Sequence, residues 1–448
     1  MAAIRVSELE RSHRVDSDYY RPVYLAYDAR IASLNPKLLS TLAQISDGNH
    51  IAIEDQFTDS GVRYLRGQDL ADFFISDANS VFIPDEVYRS LTRSHMKPGD
   101  VLLSIVGTIG RVALVTNRYQ ALTGSCKIAI IRPHSVNPCF LAIYLSSTPG
   151  QEQIARRVRG AVQQGLILPD LKAIPVPSVD EQLAKKVEGL VKRSRQQQEK
   201  SESLYAQAQA LLTAELGLDR LDLSEGRCSV RRASEVQGSG RADAEYYKRK
   251  YLNLLSCLEG MPHVILEEIA TFSGGATPLG AEYLDEGIPF LRIQNVGENR
   301  LVMDDVAYID DAIHAGLLKR SQLAPRDVLI TITGRIGTAA VVPQDLKQAN
   351  INQHIVRMRL KSKEINPYYL AAFLNSVGGR LQTEREAYGT TRDALPYYCL
   401  ARVRIVKADV SLQNEIEQIV RKAGEASQGA KRLLAEARAE VERMIEAA

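Results

Sequence analysis

The chain has 448 residues, a formal net charge of +2, and 45% hydrophobic residues. That length allows two or three domains, and no run of eighteen apolar residues predicts a membrane span. The N-terminus lacks the apolar stretch of a signal peptide, and the five cysteines are scattered without a C-x-x-C pair. These features predict a cytoplasmic protein without a disulfide or zinc framework. The low net charge counts mildly against nucleic-acid binding, although local clustering of charge matters more.

The first half of the sequence recurs in the second half. The segment 16–25 reappears at 243–252 and the segment 100–110 at 327–337, both with an offset of 227 residues. The segment 137–145 matches 366–374 with nearly the same offset. Because this repeat is far longer than a solenoid repeat, it predicts two whole domains of similar fold.

Inside each repeat the pattern is of mixed helix and strand. The β-branched runs 101–105 and 112–115 flank two glycines, which predicts a strand, a tight turn and a second strand. A further strand is predicted at 128–131, and Asn137 followed by Pro138 predicts the start of a helix. The segment 166–177 is expected to be extended.

Each repeat is followed by a long predicted helix. From 180 to 216, apolar or small residues recur at steps of four and three, which is a heptad pattern, and Gly217 supplies the stop. The same alternation fills the segment from 411 to the C-terminus. An antiparallel pair would set Leu183 near Met444 and would let Ala423, Ala426 and Ala430 bring the backbones close. The alternative is that each helix merely covers its own domain.

Two motifs resemble catalytic or nucleotide-binding sequences, but neither is complete. Asn137-Pro138 and Asn366-Pro367 begin like the motif that holds the target amine in amino-methyltransferases, but both lack its second proline. The Gly-x-x-Gly turns at 107–110 and 334–337 lack the spacing of a phosphate-binding loop. The motifs are therefore interpreted as a helix cap and a tight turn, and a contact of the turn amides with a DNA phosphate is left open as an alternative. No catalytic or metal-binding constellation is recognised.

Polar side chains that could contact a nucleic acid occur in several short clusters. Amide and guanidinium groups are the groups that bind base edges in the major groove, although any one such cluster is more often a solvated face. Positions identical in both repeats, such as Leu65/Leu291, Arg66/Arg292, Asp100/Asp327 and Gly110/Gly337, are expected to be scaffold or phosphate contacts. Unmatched polar positions are expected to determine sequence preference. The candidate DNA-contacting residues are Gln163, Gln164, Arg292, Arg320, Gln322, Asn352, Gln353, His354, Thr391 and Arg392.

The segments 287–296, 327–337, 366–370 and 388–392 resemble the specificity subunit of type I restriction–modification enzymes. The first repeat departs more from that family, since it has Asp47-Gly-Asn-His50 where the second has Ser273-Gly-Gly-Ala-Thr-Pro278. The resemblance implies an α+β fold in which two mixed α/β target-recognition domains are separated by two long helices that pair as an antiparallel coiled coil. The implied boundaries are 1–180 for the first recognition domain, 181–217 for the central helix, 218–240 for a linker, 241–410 for the second recognition domain and 411–448 for the C-terminal helix.

The same resemblance implies a non-catalytic subunit that binds a bipartite, asymmetric target in double-stranded DNA. Two methyltransferase subunits, which carry S-adenosylmethionine, would dock on it, and a motor–nuclease restriction subunit can join such an assembly. No cofactor or metal is expected on this chain. The rival interpretation is a two-domain scaffold that holds partner proteins apart without binding specific DNA. An enzyme is a distant third, because no site supports it.

Overall fold

The computed structural model describes residues 14–71, 73–77, 80–160, 164–224, 230–278, 283–303, 305–389 and 393–448. The chain divides into two compact units. Unit 1 comprises Met1–Gln198 and Gln428–Ala448, and unit 2 comprises Glu199–Ser427. Gln163, Thr391 and Arg392, three of the candidate DNA-contacting residues, lie outside the described residues.

Unit 1 contains a four-stranded sheet, a three-stranded sheet and short helices. The strands are β1 (Lys37–Leu38), β2 (Ala43–Asp47), β3 (Val62–Leu65), β4 (Leu70–Ala71), β5 (Phe74–Ile75), β6 (Val81–Ile83), β7 (Val101–Ser104), β8 (Val112–Leu114), β9 (Leu122–Gly124), β10 (Ile128–Pro133) and β11 (Pro175–Val176). The short helices are α1 (Pro22–Ser33), α2 (Leu39–Leu42), α3 (Asp85–Ser90), α4 (Pro138–Ser146), α5 (Thr148–Arg157) and α6 (Leu168–Lys172). The larger sheet has the order β2-β10-β7-β8 and is antiparallel; the smaller has the order β6-β3-β9, with β3 and β9 parallel.

Two long helices follow the repeats. They are α7 (Glu181–Glu215) and α15 (Val410–Glu446). Gly217, two residues beyond the end of α7, has the left-handed φ of 61° that the predicted stop requires.

Unit 2 repeats the topology of unit 1. Its strands are β12 (His263–Ile265), β13 (Ala270–Gly274), β14 (Ile288–Leu291), β15 (Val296–Gly297), β16 (Arg300–Leu301), β17 (Ala307–Ile309), β18 (Val328–Thr331), β19 (Ala339–Val341), β20 (Asn350–Ile351), β21 (Ile355–Leu360) and β22 (Arg404–Val406). Its short helices are α8 (Ala233–Ser239), α9 (Arg249–Glu259), α10 (Leu266–Ile269), α11 (Asp311–Ala315), α12 (Pro367–Asn375), α13 (Val377–Glu386) and α14 (Tyr397–Ala401). The sheet orders β13-β21-β18-β19 and β17-β14-β20 reproduce those of unit 1 strand for strand.

The long helices pack in opposite directions. In unit 1, Lys186 of α7 forms an ion pair with Glu440 of α15 (Nζ–Oε2 2.6 Å), and the Ser194 hydroxyl donates to the Ala430 carbonyl. In unit 2, Ala208 and Leu212 of α7 share a core with Ile416 and Ile419 of α15. Later positions on α7 therefore meet earlier positions on α15, and this confirms the predicted antiparallel pairing. Leu183 and Met444 pack against the same core of unit 1, and Ala423, Ala426 and Ala430 are buried as predicted.

The Gly-x-x-Gly segments are tight turns between antiparallel strands, as predicted. The hydroxyl of the residue that ends the first strand closes each turn. Ser104 Oγ accepts from the Arg111 N–H (2.9 Å), and Thr331 Oγ1 accepts from the Thr338 N–H (3.1 Å). The last glycine of each turn has a positive φ, 93° at Gly110 and 84° at Gly337. A side chain there would strain the backbone, which explains why glycine occurs in both copies.

One prediction from the sequence needs correction. The segment 166–177 is not extended throughout, because α6 occupies Leu168–Lys172, with Pro169 in the first turn, where its missing N–H costs nothing. The predicted linker 218–240 contains regular structure as well. Leu218–Arg220 forms a 3-10 turn with Leu218 buried in the core of unit 2, and α8 occupies Ala233–Ser239.

Candidate nucleic-acid interface

Three chain segments meet where strand β13 ends in unit 2. The Ser273 hydroxyl donates to the Arg320 carbonyl (2.7 Å), which joins the strand end to the 3-10 turn Lys319–Ser321. The N–H of Gly275 donates to Ile355 and that of Ala276 donates to Ile351, so the chain after β13 crosses the segment 351–355. This crossing brings together four of the predicted polar residues of unit 2: Arg320, Asn352, Gln353 and His354.

A glycine makes the crossing possible in both units. A Cβ atom on Gly275 would lie 2.1 Å from the Asn352 carbonyl oxygen, and one on Gly48 would lie 2.2 Å from the Ser125 carbonyl oxygen. No side chain fits at these distances, so each glycine allows the two backbones to pass. Gly48 and Gly275 are equivalent at the repeat offset, yet the residues that follow them differ: Asn49-His50 in unit 1 and Ala276-Thr277 in unit 2.

In unit 2 the crossing presents a connected group of polar side chains. Asn352 is buried, and its Oδ1 accepts from the N–H of His354 (3.1 Å), which shapes the turn. Gln353 is exposed and accepts a hydrogen bond from the Thr277 hydroxyl. His354 Nδ1 lies 2.9 Å from the hydroxyl of Thr333, a residue of the loop that joins β18 and β19. Gln353 and His354 therefore present polar atoms at the surface, whereas Asn352 supports their backbone.

Two other predicted residues have their side chains in the scaffold. Gln322 Nε2 donates to the His314 carbonyl (2.9 Å), and His95, its equivalent in unit 1, makes the same kind of contact with the Tyr88 carbonyl (2.8 Å). Arg292 donates to the carbonyl of Asp305 and forms an ion pair with its carboxylate. Both side chains are half-buried and are held by these contacts within unit 2. Gln164, the last described candidate, is exposed in the loop after α5.

The equivalent edge of unit 1 has different side chains on the same backbone. Ser125, Cys126 and Lys127 replace the triplet 352–354, and the Ile105 N–H donates to the Lys127 carbonyl as the Ile332 N–H does to His354. The matched backbone bonds hold both edges in one geometry. The chemistry that each edge presents is therefore set by its exposed side chains.

In each unit two arginines enclose a tyrosine, a feature that sequence reasoning missed. In unit 1, Arg156 stacks on the Tyr19 ring (4.1 Å from guanidinium carbon to ring centroid) and Arg14 lies over the same ring (4.9 Å). In unit 2, the corresponding distances to the Tyr246 ring are 3.6 Å for Arg385 and 4.8 Å for Arg241. Such cation–π contacts anchor the segment before the first helix to α5 and α13.

The loops that follow α5 and α13 are tied to the turns of the main sheets. The Leu166 N–H donates to Ile105, and the Leu395 N–H donates to Ile332. The stacked arginines therefore hold the helices from which these loops start. The repeated Asp-x-x-Tyr-Tyr motif was the available signal, but Arg156 and Arg385 lie more than a hundred residues away from it.

The Asn-Pro motifs connect each unit to a long helix. Asn137 caps α4 by accepting from the N–H groups of Cys139 and Phe140, which confirms the helix-cap interpretation. Its Nδ2 donates to Glu188 of α7 (2.7 Å), and Asn366 donates in the same way to Glu417 of α15 (2.5 Å). Each asparagine therefore uses both ends of its amide, one for the cap and one for the long helix.

Within the described ranges, no three His, Cys, Asp or Glu side chains are grouped to hold a metal ion. None of the described helices combines the length and the apolar character needed to cross a membrane.

Comparison with known proteins gives a partial sequence match and several structural matches. No protein-family model matches the chain. Over 136 residues the chain is 30% identical to the type I restriction enzyme EcoBI specificity subunit of Escherichia coli. The aligned segment covers 29% of this chain and 28% of that protein. The match thus spans little more than a quarter of that relative.

Crystal structures of type I specificity subunits align with much more of the chain. The S subunit from M. genitalium aligns over 92% of this chain and 94% of that one, with 14% identity and a TM-score of 0.40. The HsdS subunit from Thermoanaerobacter tengcongensis aligns over 92% and 94%, with 16% identity and a TM-score of 0.30.

Proposed function

We propose that this chain is the DNA sequence-recognition subunit of a type I restriction–modification complex. In this proposal each unit binds one half of a bipartite, asymmetric target in double-stranded DNA. The chain itself has no catalytic role, and the methyl donor S-adenosylmethionine is bound by partner methyltransferase subunits. A motor–nuclease subunit can join the same assembly, which would then serve in restriction and antiviral defence.

One observation carries the proposal: two edges have the same backbone and different exposed side chains. The crossing at Gly48 and Gly275 and the paired strand registers are common to both units. At the surface, by contrast, Lys127 stands where the second unit has His354. A protein that binds two unlike half-targets needs this combination, because base edges are distinguished by side-chain donors and acceptors.

The partial match to the EcoBI specificity subunit supports the same assignment. That relative's name gives a specificity role within a type I restriction enzyme. We infer that the partners of this chain are methyltransferase subunits, and that they dock on the long helices and the units beside them. The contacts of Asn137 and Asn366 with the long helices supply a fixed surface for such docking.

The rival function, a scaffold that binds only proteins, makes a different prediction about salt. DNA binding through phosphates weakens steeply as salt rises, with a slope of about −0.9 in log K against log salt for each phosphate contacted. Binding through an apolar docking surface has no such slope. The rival is preferred only if the full chain, with methyltransferase subunits present, fails to bind DNA in a salt-dependent and sequence-dependent way.

A domain exchange tests the proposal directly. Residues 241–410 are replaced by the matching domain of a relative, and the methylated sites are mapped in a host that carries the complex. We expect one half of the target to change while the other half is retained. A change in both halves, or in neither, would contradict the modular assignment. As a control, the reciprocal exchange of residues 1–180 should alter only the other half.

A further inference from the structure

The two units carry the same arginine at the same position, but its surroundings differ in charge. Arg93 and Arg320 are equivalent at the repeat offset, and each lies in a 3-10 turn, Thr92–Ser94 and Lys319–Ser321. The following serine is buried in both copies and donates to the carbonyl three residues earlier (3.0 Å). The two arginines therefore start from the same backbone.

In unit 1 a carboxylate neutralises this arginine. Asp47 ends β2, and its Oδ1 lies 2.6 Å from Arg93 Nη2. Its Oδ2 lies 2.7 Å from His50 Nε2. The Asp47 side chain is 13% exposed, whereas that of Arg93 is 69% exposed. The carboxylate is therefore largely enclosed by its partners, at the edge where Lys127 and Asn49 also lie.

In unit 2 the carboxylate is missing. Gly274, the last residue of β13, is the equivalent of Asp47. Asp47 pairs with Ala129 across the sheet of unit 1, and Gly274 pairs with Val356, the equivalent of Ala129, across the sheet of unit 2. Arg320 is exposed, and no ion pair to it is found in the part of the chain that the structure describes. The same backbone thus presents a neutralised arginine in one unit and an open arginine in the other.

A tyrosine fills the space of the missing carboxylate. A Cβ atom on Gly274 would lie 1.6 Å from the hydroxyl oxygen of Tyr397, so Tyr397 occupies the room that a side chain would take there. Burial raises the pKa of Tyr397, and the positive charge of Arg320 opposes this rise. Tyr397 begins α14, and the residue that begins α6 in unit 1 is Leu168.

We propose that Arg320 is an open phosphate-binding position on the unit 2 edge, and that Asp47 occupies the equivalent position of unit 1 as an internal anion. The inference rests on the proposed DNA-binding function. As a consequence, the two units contribute unequally to binding of the phosphate backbone. Unit 2 gains affinity from a phosphate contact at this point, whereas unit 1 must give up an ion pair before Arg93 can bind DNA.

The test is the salt dependence of target binding by the full-length chain assembled with its methyltransferase subunits. Arg320→Ala should make the slope of log K against log salt shallower by about 0.9, the effect of one phosphate contact. Between 50 and 200 mM salt, that contact corresponds to about a 3.5-fold change in affinity. Arg93→Ala, the matched control, should leave the slope nearly unchanged.

Removing the internal anion should have the opposite effect. Asp47→Asn keeps the shape of the side chain, frees Arg93, and should steepen the slope by about 0.9. Adding Arg93→Ala to that variant should abolish the gain. This double substitution separates a freed phosphate contact from a general loss of negative charge, because the charge on Asp47 is absent in both variants.

The unit 1 arrangement can also be transferred to unit 2. Gly274→Asp combined with Tyr397→Leu supplies the carboxylate and the room for it, and should reproduce the shallower slope of Arg320→Ala. Gly274→Asn combined with Tyr397→Leu has the same shape without the charge and should keep the original slope. If both double variants behave alike, charge at this position is not the cause and the inference is wrong.

Failure of the inference can be distinguished from failure of the proposed function. If the unmodified assembly does not prefer its target over scrambled DNA, the proposed function fails. If target binding is specific and salt-dependent but Arg320→Ala and Arg93→Ala change the slope equally, only the inference fails.

Discussion

A buried carboxylate paired with a half-exposed arginine supports the main sheet of each unit. Asp327 is 2% exposed and accepts two hydrogen bonds from Arg359, both 2.7 Å, and one from the Ala324 N–H. Asp100 and Arg132 repeat the arrangement in unit 1, with distances of 2.8 and 2.7 Å. We therefore predict that Arg359→Ala destabilises unit 2 strongly, although the arginine itself lies near the surface.

The expected magnitude follows from the burial of the partner. An ion pair exposed on both sides contributes about 0–1 kcal/mol. Loss of a partner from a buried pair costs about 3–5 kcal/mol, because it leaves an uncompensated buried charge. The Arg359 side chain is 47% exposed, so solvent screens the pair in part, and we take the lower end, about 3 kcal/mol. That difference corresponds to roughly a 100-fold faster opening of the sheet.

Hydrogen exchange with peptide-level mass spectrometry measures this effect in one unit while the other serves as reference. In Arg359→Ala, amides of β18 and β21 should exchange roughly 100-fold faster, and those of β7 and β10 should not change. Lys407→Ala is the matched control, since Lys407 and Glu364 form a pair in which both side chains are over 40% exposed. An acceleration of less than tenfold in Arg359→Ala, similar to that in the control, would refute the argument from burial.

Three further predictions concern the helix contact and the interface. Burial alone would raise the pKa of Glu417, but the Asn366 amide and Arg326 more than offset it, so its pKa lies below the usual 4.5. The contribution of Glu417 to folding stability is therefore present above pH 4.5 and is lost as the pH falls through the lowered pKa. We expect Glu417→Gln to flatten this part of a curve of stability against pH. An unchanged curve would show that the Glu417 contacts are not the source of the acid-induced loss of stability. Gly275→Ala should abolish binding of the unit 2 half-target, because the added methyl group would overlap the Asn352 carbonyl. The amides of unit 1 should keep their protection from hydrogen exchange. Normal binding of the half-target would show that the two backbones can move apart at the crossing. In a selection from randomised DNA targets, His354→Ala should relax the preference at one base position, with a loss of about 1–3 kcal/mol in binding free energy. Arg292→Ala should instead weaken binding to all targets evenly. The opposite pattern would reverse the assignment of scaffold and contact positions.

The sequence predicts the features that depend on local pattern. The heptads of α7 and α15 follow from side-chain spacing along a helix, and the glycine turns follow from the conformations that glycine alone adopts easily. The Asn137 cap also follows from local chemistry, since its side chain bonds the N–H groups of the next two or three residues. Comparison of the two repeats added tertiary information, because the matched Asp100 and Asp327 proved to be buried supports.

Contacts between distant residues could not be predicted in this way. The pairing of Asp47 with Arg93 joins residues 46 apart, and that of Asn137 with Glu188 joins residues 51 apart. Nothing in either neighbourhood indicates the partner. Gln322 shows the same limit, because nothing in its neighbourhood indicates that its amide donates to the His314 carbonyl.

In the proposed function, the division between buried and exposed roles would let one fold serve two unlike half-targets. The backbone at each edge is determined by strand register, by the glycine crossing and by an Asp–Arg pair whose carboxylate is buried. None of these involves the exposed side chains that would touch DNA in the proposed function. Substitution of an exposed residue usually changes stability by less than about 0.5 kcal/mol, so such positions can diverge without loss of the fold. The exchange of Asp47 for Gly274 goes further, because it changes the charge at an edge while Tyr397 fills the vacated space. In the proposed function, divergence at these edges therefore alters both the sequence that a unit prefers and the strength with which it holds the phosphate backbone.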